Sequence, residues 1–387
     1  MVINHRDTEY TRLHREIRTF RAPGRVNLIG EHTDYNDGFV MPAAIDLSTW
    51  VKISPLEQRK LQILSENFNE QIEIDLDDQS LARRGHWSDY PIGVAVMLER
   101  SGRRLHGARL QIRGEVPIGS GLSSSAAVEV ATACALVANS GLTIDARDLA
   151  LLCQKAENEF IGARVGIMDQ FVSLFGQAQK ALMLDCRSLE FELLPLPDNI
   201  RLVICNTMVK HELASGAYNE RRAQCEAGVK HLAKFVANVT ALRDVTLEQL
   251  EQFGSDLPEV VYRRCRHVIT ENARVLAAAK ALAQGALKEF GRLMAASHQS
   301  LRDDYEVSSE ELDLMVELAQ KLEGVYGARM TGGGFGGCTV NLVAVEHDEE
   351  FSKRVAESYE QVTKLKPEIF ICSASDGAEE VGQDFQD

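Results

Sequence analysis

Between residues 39 and 76 apolar and polar positions alternate, the two-residue period of strands with one buried face. The same alternation, mixed with turn formers, runs through residues 21–30. Residues 87–100 switch to helical spacing, with Ser88 and Asp89 at the entry. Leu110-Gln111-Ile112 alternates again and predicts a short strand. Residues 126–138 are almost wholly small or apolar, which predicts a buried helix, and Asn139-Ser140-Gly141 supplies its stop. Residues 146–162 predict an amphipathic helix that buries Leu149, Leu152, Cys153, Ala156 and Phe160 at 3–4 spacing. Glu157 flanks that face rather than lying opposite it.

Pro195-Leu196-Pro197-Asp198-Asn199 reads as a linker, dividing the chain into domains 1–198 and 199–387. After it the pattern predicts a strand at 201–206, helices at 219–237, 259–283, 287–299 and 308–323, and a strand at 338–345. A helix at 350–364 and a strand at 368–373 follow, then an acidic tail expected to fray. A length of 387 residues fits two or three domains at the ~150-residue prior. Neither an internal repeat nor a low-complexity segment interrupts the chain.

Charge narrows the range of partners. Lys and Arg number 42 against 57 Asp and Glu, a net −15 that repels nucleic acid and anionic membrane. An anionic nucleotide would need local donors and a divalent cation to overcome that field. The first 18 residues are polar and lack the apolar core of a signal peptide, and no apolar run reaches the ~20 residues of a bilayer span. A cytoplasmic location is expected. Eight cysteines without a Cys-x-x-Cys pair predict buried free thiols, Cys134, Cys205 and Cys338 among them, rather than disulfides or a zinc site.

The strongest chemical signal lies between the strand at 110–112 and the buried helix. Gly119, Ser120, Gly121, Leu122, Ser123, Ser124 and Ser125 place two glycines and four serines in seven residues. One Gly and one Ser would suit an ordinary turn and helix cap. The excess suits an anion: glycines allow close backbone N–H approach, and a helix N-terminus adds unpaired donors and partial positive charge. Serine hydroxyls add donors and can ligate a hard cation such as Mg²⁺. The loop is not a Walker A loop, because it has no Lys, and Ser124 stands where a dinucleotide fingerprint requires its third glycine.

Other clusters leave alternatives open. Glu31-His32-Thr33-Asp34-Tyr35-Asn36-Asp37-Gly38 suits a solvated turn, a metal site or, best, recognition of a polyhydroxyl ligand. Asp169 lies among apolar residues, as a helix cap or as a carboxylate for a substrate hydroxyl. Glu157 reads as a rim glutamate or a Mg²⁺ ligand facing the phosphate loop. Five glycines between 332 and 337 imply close backbone approach to a ligand or to another loop.

Three of these segments, 25–34, 117–126 and 330–338, occur in an order that resembles the GHMP small-molecule kinase superfamily. Gly24-Arg25-Val26-Asn27-Leu28-Ile29-Gly30-Glu31-His32-Thr33-Asp34-Tyr35-Asn36 narrows the resemblance to the galactokinase family. Gly166-Ile167-Met168-Asp169-Gln170, Lys210-His211-Glu212-Leu213-Ala214-Ser215-Gly216-Ala217-Tyr218 and the stretch 297–313 are similar to it as well. The likeness runs from about residue 20 to 373.

The resemblance implies a two-domain α+β fold, ribosomal-S5-like then ferredoxin-like, with the site in the cleft between them. It implies transfer of the ATP γ-phosphoryl group to the C1 hydroxyl of α-D-galactose, the first committed step of the Leloir pathway. By the same resemblance Asp169 is the general base or orients that hydroxyl, and Arg25 pairs with Asp169 and stabilises the transferring group. Glu31, His32, Thr33, Asp34, Gly166, Asp169 and Tyr218 hold the sugar. Gly119 through Ser125 cradle ATP phosphates, Ser125 and Glu157 hold Mg²⁺, and the third glycine loop buttresses the phosphate loop. Small molecules are the expected partners, without nucleic acid or membrane, on a monomer or weak homo-oligomer.

Two departures stand out. Arg164-Val165 replaces the family's more usual Pro-Cys or Asn-Cys, adding positive charge near the site. Asp89-Tyr90-Pro91-Ile92-Gly93 replaces another common pattern, with Trp87 nearby as a candidate adenine contact. The alternatives are a sibling kinase for N-acetylgalactosamine or arabinose, and a non-catalytic galactose/ATP sensor. Intact Ser123-Ser124-Ser125-Ala126, Arg25 and Asp169 argue against the sensor.

Overall fold

The computed structural model describes residues 17–210 and 214–382. The expected motif residues His211, Glu212 and Leu213 lie outside the described residues, as do the first 16 and last five positions. The side chains of Lys210, Ala214 and Ser215 are likewise outside them.

The alternating segments pair into a six-stranded sheet. Its members are β1 (Arg18–Asn27), β3 (Pro42–Leu56), β4 (Lys60–Ser65), β5 (Glu70–Asp75), β6 (Gly107–Gly114) and β13 (Glu379–Val381), in the order β13-β1-β3-β6-β4-β5. Only β4 and β6 pair in parallel among these neighbours. Helices α1 (Asp89–Arg100), α2 (Ser124–Asn139) and α3 (Ala146–Lys155) join this sheet's core. Small residues on α2 let its backbone approach the strands, so Val130, Ala133 and Leu136 pack with Val51, Leu110 and Ile112. A three-stranded sheet, β2 (Phe39–Val40), β7 (Lys180–Asp185) and β8 (Phe191–Pro195), packs with α4 (Met168–Phe175).

The second half forms a four-stranded sheet from β9 (Ile200–Lys210), β10 (Val325–Thr331), β11 (Gly336–Ala344) and β12 (Glu368–Cys372), ordered β10-β11-β9-β12. Side-chain alternation gives it two cores. Val203, Cys205 and Val343 meet α9 (Glu310–Gln320) and α10 (Asp348–Thr363). Leu202, Ile204, Val340 and Leu342 meet α7 (Glu259–Ala283) and α8 (Leu287–Ser300). The latter core also includes Val26, Leu28, Met41 and Ile45, so one apolar layer joins the two halves beneath the segment 25–36. The remaining helices, α5 (Ala214–Leu232) and α6 (Leu247–Phe253), pack with α7.

Three local expectations change. The helix expected over 146–162 is α-helical only to Lys155, and Ala156–Ile161 form a π turn. Its wider turn inserts extra backbone and re-aims Glu157. The acidic tail does not fray at 379–381. It pairs with β1, and Arg18 and Arg21 bond Glu380 and Glu379. Finally, α5 starts at Ala214 and ends at Leu232, five residues before the predicted end of the helix at 219–237. None of the eight cysteines forms a disulfide, and six of them are buried. No helix among the described residues is long and apolar enough to cross a membrane.

Candidate active site

The last residues of β1 are held between two glycine loops. Arg25 N–H donates to the Leu122 carbonyl at 3.0 Å, and Asn27 N–H donates to Thr331 Oγ1 at 3.0 Å. Gly24 permits the first contact, because a Cβ there would lie 2.7 Å from the Leu122 oxygen. The loops also touch each other. Gly332 has φ +86°, and a Cβ on it would stand 2.9 Å from the Gly121 oxygen; one on Gly337 would stand 2.9 Å from the Ser120 oxygen. The 332–337 loop therefore packs backbone to backbone against the phosphate loop.

Within that loop the serines have different settings. Ser120 is buried and its hydroxyl donates to the Pro117 carbonyl at 2.8 Å; Leu122 is buried in the core. Ser123 adopts φ 61°, unusual for a residue with a Cβ, and makes no cap bond with its side chain. Its hydroxyl instead donates to Asp169 Oδ2. Ser124 and Ser125 begin α2 and are half-buried. Gly119 and Gly121 have positive φ, as this tight turn requires.

Arg25 grips Asp169 with a two-pronged ion pair, Nε to Oδ1 at 2.8 Å and Nη2 to Oδ2 at 2.6 Å. Its Nη1 donates to the Gly121 carbonyl at 2.5 Å. One guanidinium thus links the carboxylate directly to the phosphate loop. Burial disfavours charge on Arg25, but Asp169 and Glu31 outweigh it and hold the guanidinium above its ordinary range.

The signature loop makes the other wall. Glu31 is buried, with Oε1 accepting from Gly332 N–H at 2.8 Å and Oε2 from Asn27 Nδ2 at 3.0 Å. Behind it stands Arg329, fully buried, with Nη2 3.7 Å from Oε1. Burial raises the Glu31 carboxyl, opposed by Arg329 and Arg25. Both His32 ring nitrogens have protein partners, the Tyr35 hydroxyl at 2.8 Å and the Gly333 carbonyl at 3.2 Å. Burial, then His267, lowers its pKa to about 3, so the ring is neutral. The Thr33 hydroxyl faces the Gly30 and Phe39 carbonyls at 2.8 and 2.7 Å.

Asp34 differs from these three: its carboxylate accepts from the Tyr35 backbone N–H, and no side-chain donor to it occurs among the described residues. Burial first, then the negative charge of Asp169, pushes its pKa up to about 7. Its carboxylate lies directly against Gly166, where any Cβ would collide with it. Tyr218, on α5, closes the group; its ring centroid is 5.5 Å from His32 and 5.3 Å from Tyr35. Asp34, Asp169, Gly166 and Tyr218 are therefore brought together, whereas Thr33 spends its hydroxyl on its own loop and His32 divides its ring nitrogens between that loop and the Gly333 carbonyl.

Glu157 reaches the phosphate loop from the π turn, hydrogen-bonded by Ser125. Gln170 Nε2 donates to Glu157 Oε2 at 2.7 Å and to Glu129 Oε2 at 3.0 Å. Burial, then Asp169, raises the Glu157 carboxyl to about 7. No cluster of three His, Cys, Asp or Glu suited to a metal occurs among the described residues. Mg²⁺ does not need one: it commonly takes one or two protein oxygens, substrate phosphates and water. A buried carboxylate in contact with a serine hydroxyl at a phosphate loop fits that donor set.

Gln170, Glu129 and Arg329 join the site without having been singled out by the sequence motifs. Gln170 could have been singled out by its place inside the quoted Asp169 motif, and Arg329 as a lone charge in an apolar strand. Glu129 carried the same signal, as the one charge in the helix at 126–138 expected to be buried. Trp87 stacks on Phe68, centroids 5.7 Å apart and planes 7° apart, and its Nε1 donates to Glu70 at 2.6 Å.

Comparison with known proteins bears on the whole chain. Residues 8–55 match the galactokinase galactose-binding signature, 89–177 the GHMP kinase N-terminal domain and 278–367 the GHMP kinase C-terminal domain. A galactokinase of Lactococcus lactis, solved in complex with galactose, superposes with a TM-score of 0.92 at 38% identity, covering 97% of this chain and 98% of that one. A galactokinase from Chloroflexus aurantiacus is 45% identical over 94% of this chain and 93% of its own. Another, from Roseiflexus sp. (strain RS-1), is 46% identical over 92% of this chain and 91% of its own. With that identity across nearly the full length of both proteins, and with the galactose-binding signature matched at residues 8–55, the chain belongs to the galactokinase family of GHMP kinases.

Proposed function

We propose that this enzyme transfers the γ-phosphoryl group of ATP to the C1 hydroxyl of α-D-galactose, giving α-D-galactose 1-phosphate and ADP at the entry to the Leloir pathway. The observation that carries this reading is the Arg25–Asp169 pair, which sits where the phosphate loop meets the signature loop. The galactose complex of the Lactococcus lactis relative supports the choice of sugar.

Phosphoryl transfer asks mainly for alignment and charge neutralisation. Asp169 Oδ1 accepts one bond from Arg25 and keeps a lone pair for the sugar hydroxyl. Arg25 and Ser123 fix the carboxylate's orientation, so the hydroxyl is aimed before the reaction begins. The Arg25 charge also faces the transferring group. Asp34, Gly166 and Tyr218 contact the sugar, and Glu31 accepts a hydroxyl through lone pairs left after its bonds to Asn27 and Gly332. His32 and Thr33 shape that wall. Backbone and hydroxyl donors from Gly119 to Ser125 cradle the phosphates, with Ser124 the most available side chain. Mg²⁺ held by Ser125 and Glu157 would neutralise phosphate charge. The enzyme works in the cytoplasm as a monomer or weak homo-oligomer, with the cleft between halves 1–198 and 199–387.

The test is ADP release with ATP, Mg²⁺ and a panel of free sugars. Galactose should give the highest kcat/KM. Turnover of N-acetylgalactosamine with galactose inert would refute the assignment.

A further inference from the structure

Arg164 directly precedes the Val165-Gly166 step of the sugar wall, yet its charge is directed to α5. Its Nη2 donates to Glu226 Oε1 at 2.7 Å. Arg222, one turn before Glu226, donates from Nη1 to the Arg164 carbonyl at 2.9 Å and from Nε to the same Glu226 oxygen at 3.3 Å. The Arg222 guanidinium also lies 5.7 Å from the centroid of the Tyr35 ring, a cation–π distance. It therefore touches the backbone before Gly166 and the aromatic ring beside Asp34 at once. Tyr218 is four residues earlier and shares its helix face. The neighbouring Arg221 points the other way, donating to the Tyr305 and Glu306 carbonyls at 2.8 and 2.9 Å. Two consecutive arginines thus fasten α5 to two separate segments, the backbone at Arg164 and that at Tyr305 and Glu306.

We propose that Arg222 is a positioning residue for the sugar: with Arg164 and Glu226 it clasps α5 across the sugar wall and sets where Tyr218 sits. The proposal rests on the reading of Asp34, Gly166 and Tyr218 as sugar contacts. Within the clasp the contributions are unequal. The Arg164 and Glu226 side chains are about half exposed, at 48% and 53%, whereas Arg222 is 25% exposed. Exposed ion pairs are weak and screened by salt. The carbonyl bond and ring contact of Arg222 carry more, and a guanidinium can make these and the Glu226 bond together where an ammonium cannot.

The experiment measures kcat, galactose KM and ATP KM for Arg222→Ala, Arg222→Lys, Glu226→Arg and the double variant Glu226→Arg/Arg164→Glu. Amide hydrogen exchange over 214–232 is followed in the ligand-free protein. Arg222→Ala should raise galactose KM about 5–20-fold, with ATP KM and kcat within about twofold, and speed exchange in α5. Arg222→Lys should recover less than half of the lost affinity. Glu226→Arg should weaken sugar binding, and adding Arg164→Glu should restore it. An unchanged galactose KM and exchange rate in Arg222→Ala would overturn the proposal, as would equal increases in both KM values. If the wild-type enzyme left galactose unphosphorylated, the functional reading would fail, whereas α5 exchange would still report on the clasp.

Discussion

The Asp34 carboxylate rests against the Cα of Gly166, in space that any larger residue would occupy with its Cβ. Gly166 does not have a positive φ, so its role here is space rather than backbone freedom. Gly166→Ala should therefore displace Asp34 without straining the backbone. The expected result is a rise in galactose KM of at least about tenfold with ATP KM little changed, because displacement of a positioned group by a fraction of an ångström is costly. Steady-state kinetics with each substrate varied in turn check it.

Asp34 also predicts a pH dependence. Its pKa lies near 7 in the folded protein, against an ordinary 3.8, because burial and then Asp169 disfavour its charge. A sugar that requires the ionised carboxylate should bind about tenfold more tightly near pH 8 than near pH 6. The sign for stability is opposite. As pH rises from about 4 to 7 the unfolded chain ionises first, so ionisation costs the native state stability across that window. Asp34→Asn should abolish tight sugar binding and raise the ligand-free Tm at pH 8, with the gain vanishing near pH 4. Calorimetric titration and thermal melts over that range read both effects; a pH-independent sugar affinity would contradict the assignment.

For Arg25 and Asp169 the shared hydrogen bonds predict shared consequences. Asp169→Asn and Arg25→Ala should each lower kcat by at least about 10²-fold. The double variant should cost far less than the product of the two, because the residues act as one unit. Near-wild-type kcat in both single variants would remove their assigned roles.

Glu157→Gln should raise the Mg²⁺ concentration needed for half-maximal activity, since one charged oxygen of a sparse donor set is lost. A binding readout separates this from folding: Mn²⁺ affinity in the presence of ADP, followed by electron paramagnetic resonance, should fall about tenfold or more. An unchanged Mg²⁺ titration would count against Glu157 as a ligand.

Most strands and helices were legible because periodicity reports burial directly, and the Ala-rich stretch after the phosphate loop is the clearest case. The π turn at Ala156–Ile161 was not legible. Its residues keep helical spacing, and the extra backbone that aims Glu157 leaves no mark in the pattern. Nor was β13, because Glu379, Glu380 and Val381 form a strand by backbone pairing with β1, more than 350 residues earlier in the chain, where Arg18 and Arg21 also pair with the two glutamates. Residue types alone could not separate Asp34, whose carboxylate lies against Gly166, from His32 and Thr33, whose polar atoms are taken by Tyr35, Gly333, Gly30 and Phe39. Arg222 was invisible for a related reason: its partners are 58 and 187 residues away along the chain, and only the fold brings Arg164 and Tyr35 together.

The central claim concerns one bond, formed between the γ-phosphorus of ATP and the C1 oxygen of galactose. Phosphorus and carbon NMR of a reaction containing ATP, Mg²⁺ and galactose labelled with carbon-13 at C1 observes that bond directly. The predicted spectrum shows ADP formed in step with a single α-anomeric phosphate ester whose phosphorus couples to the labelled carbon. ADP release without that coupling, or an ester at any other position of the sugar, would contradict the account.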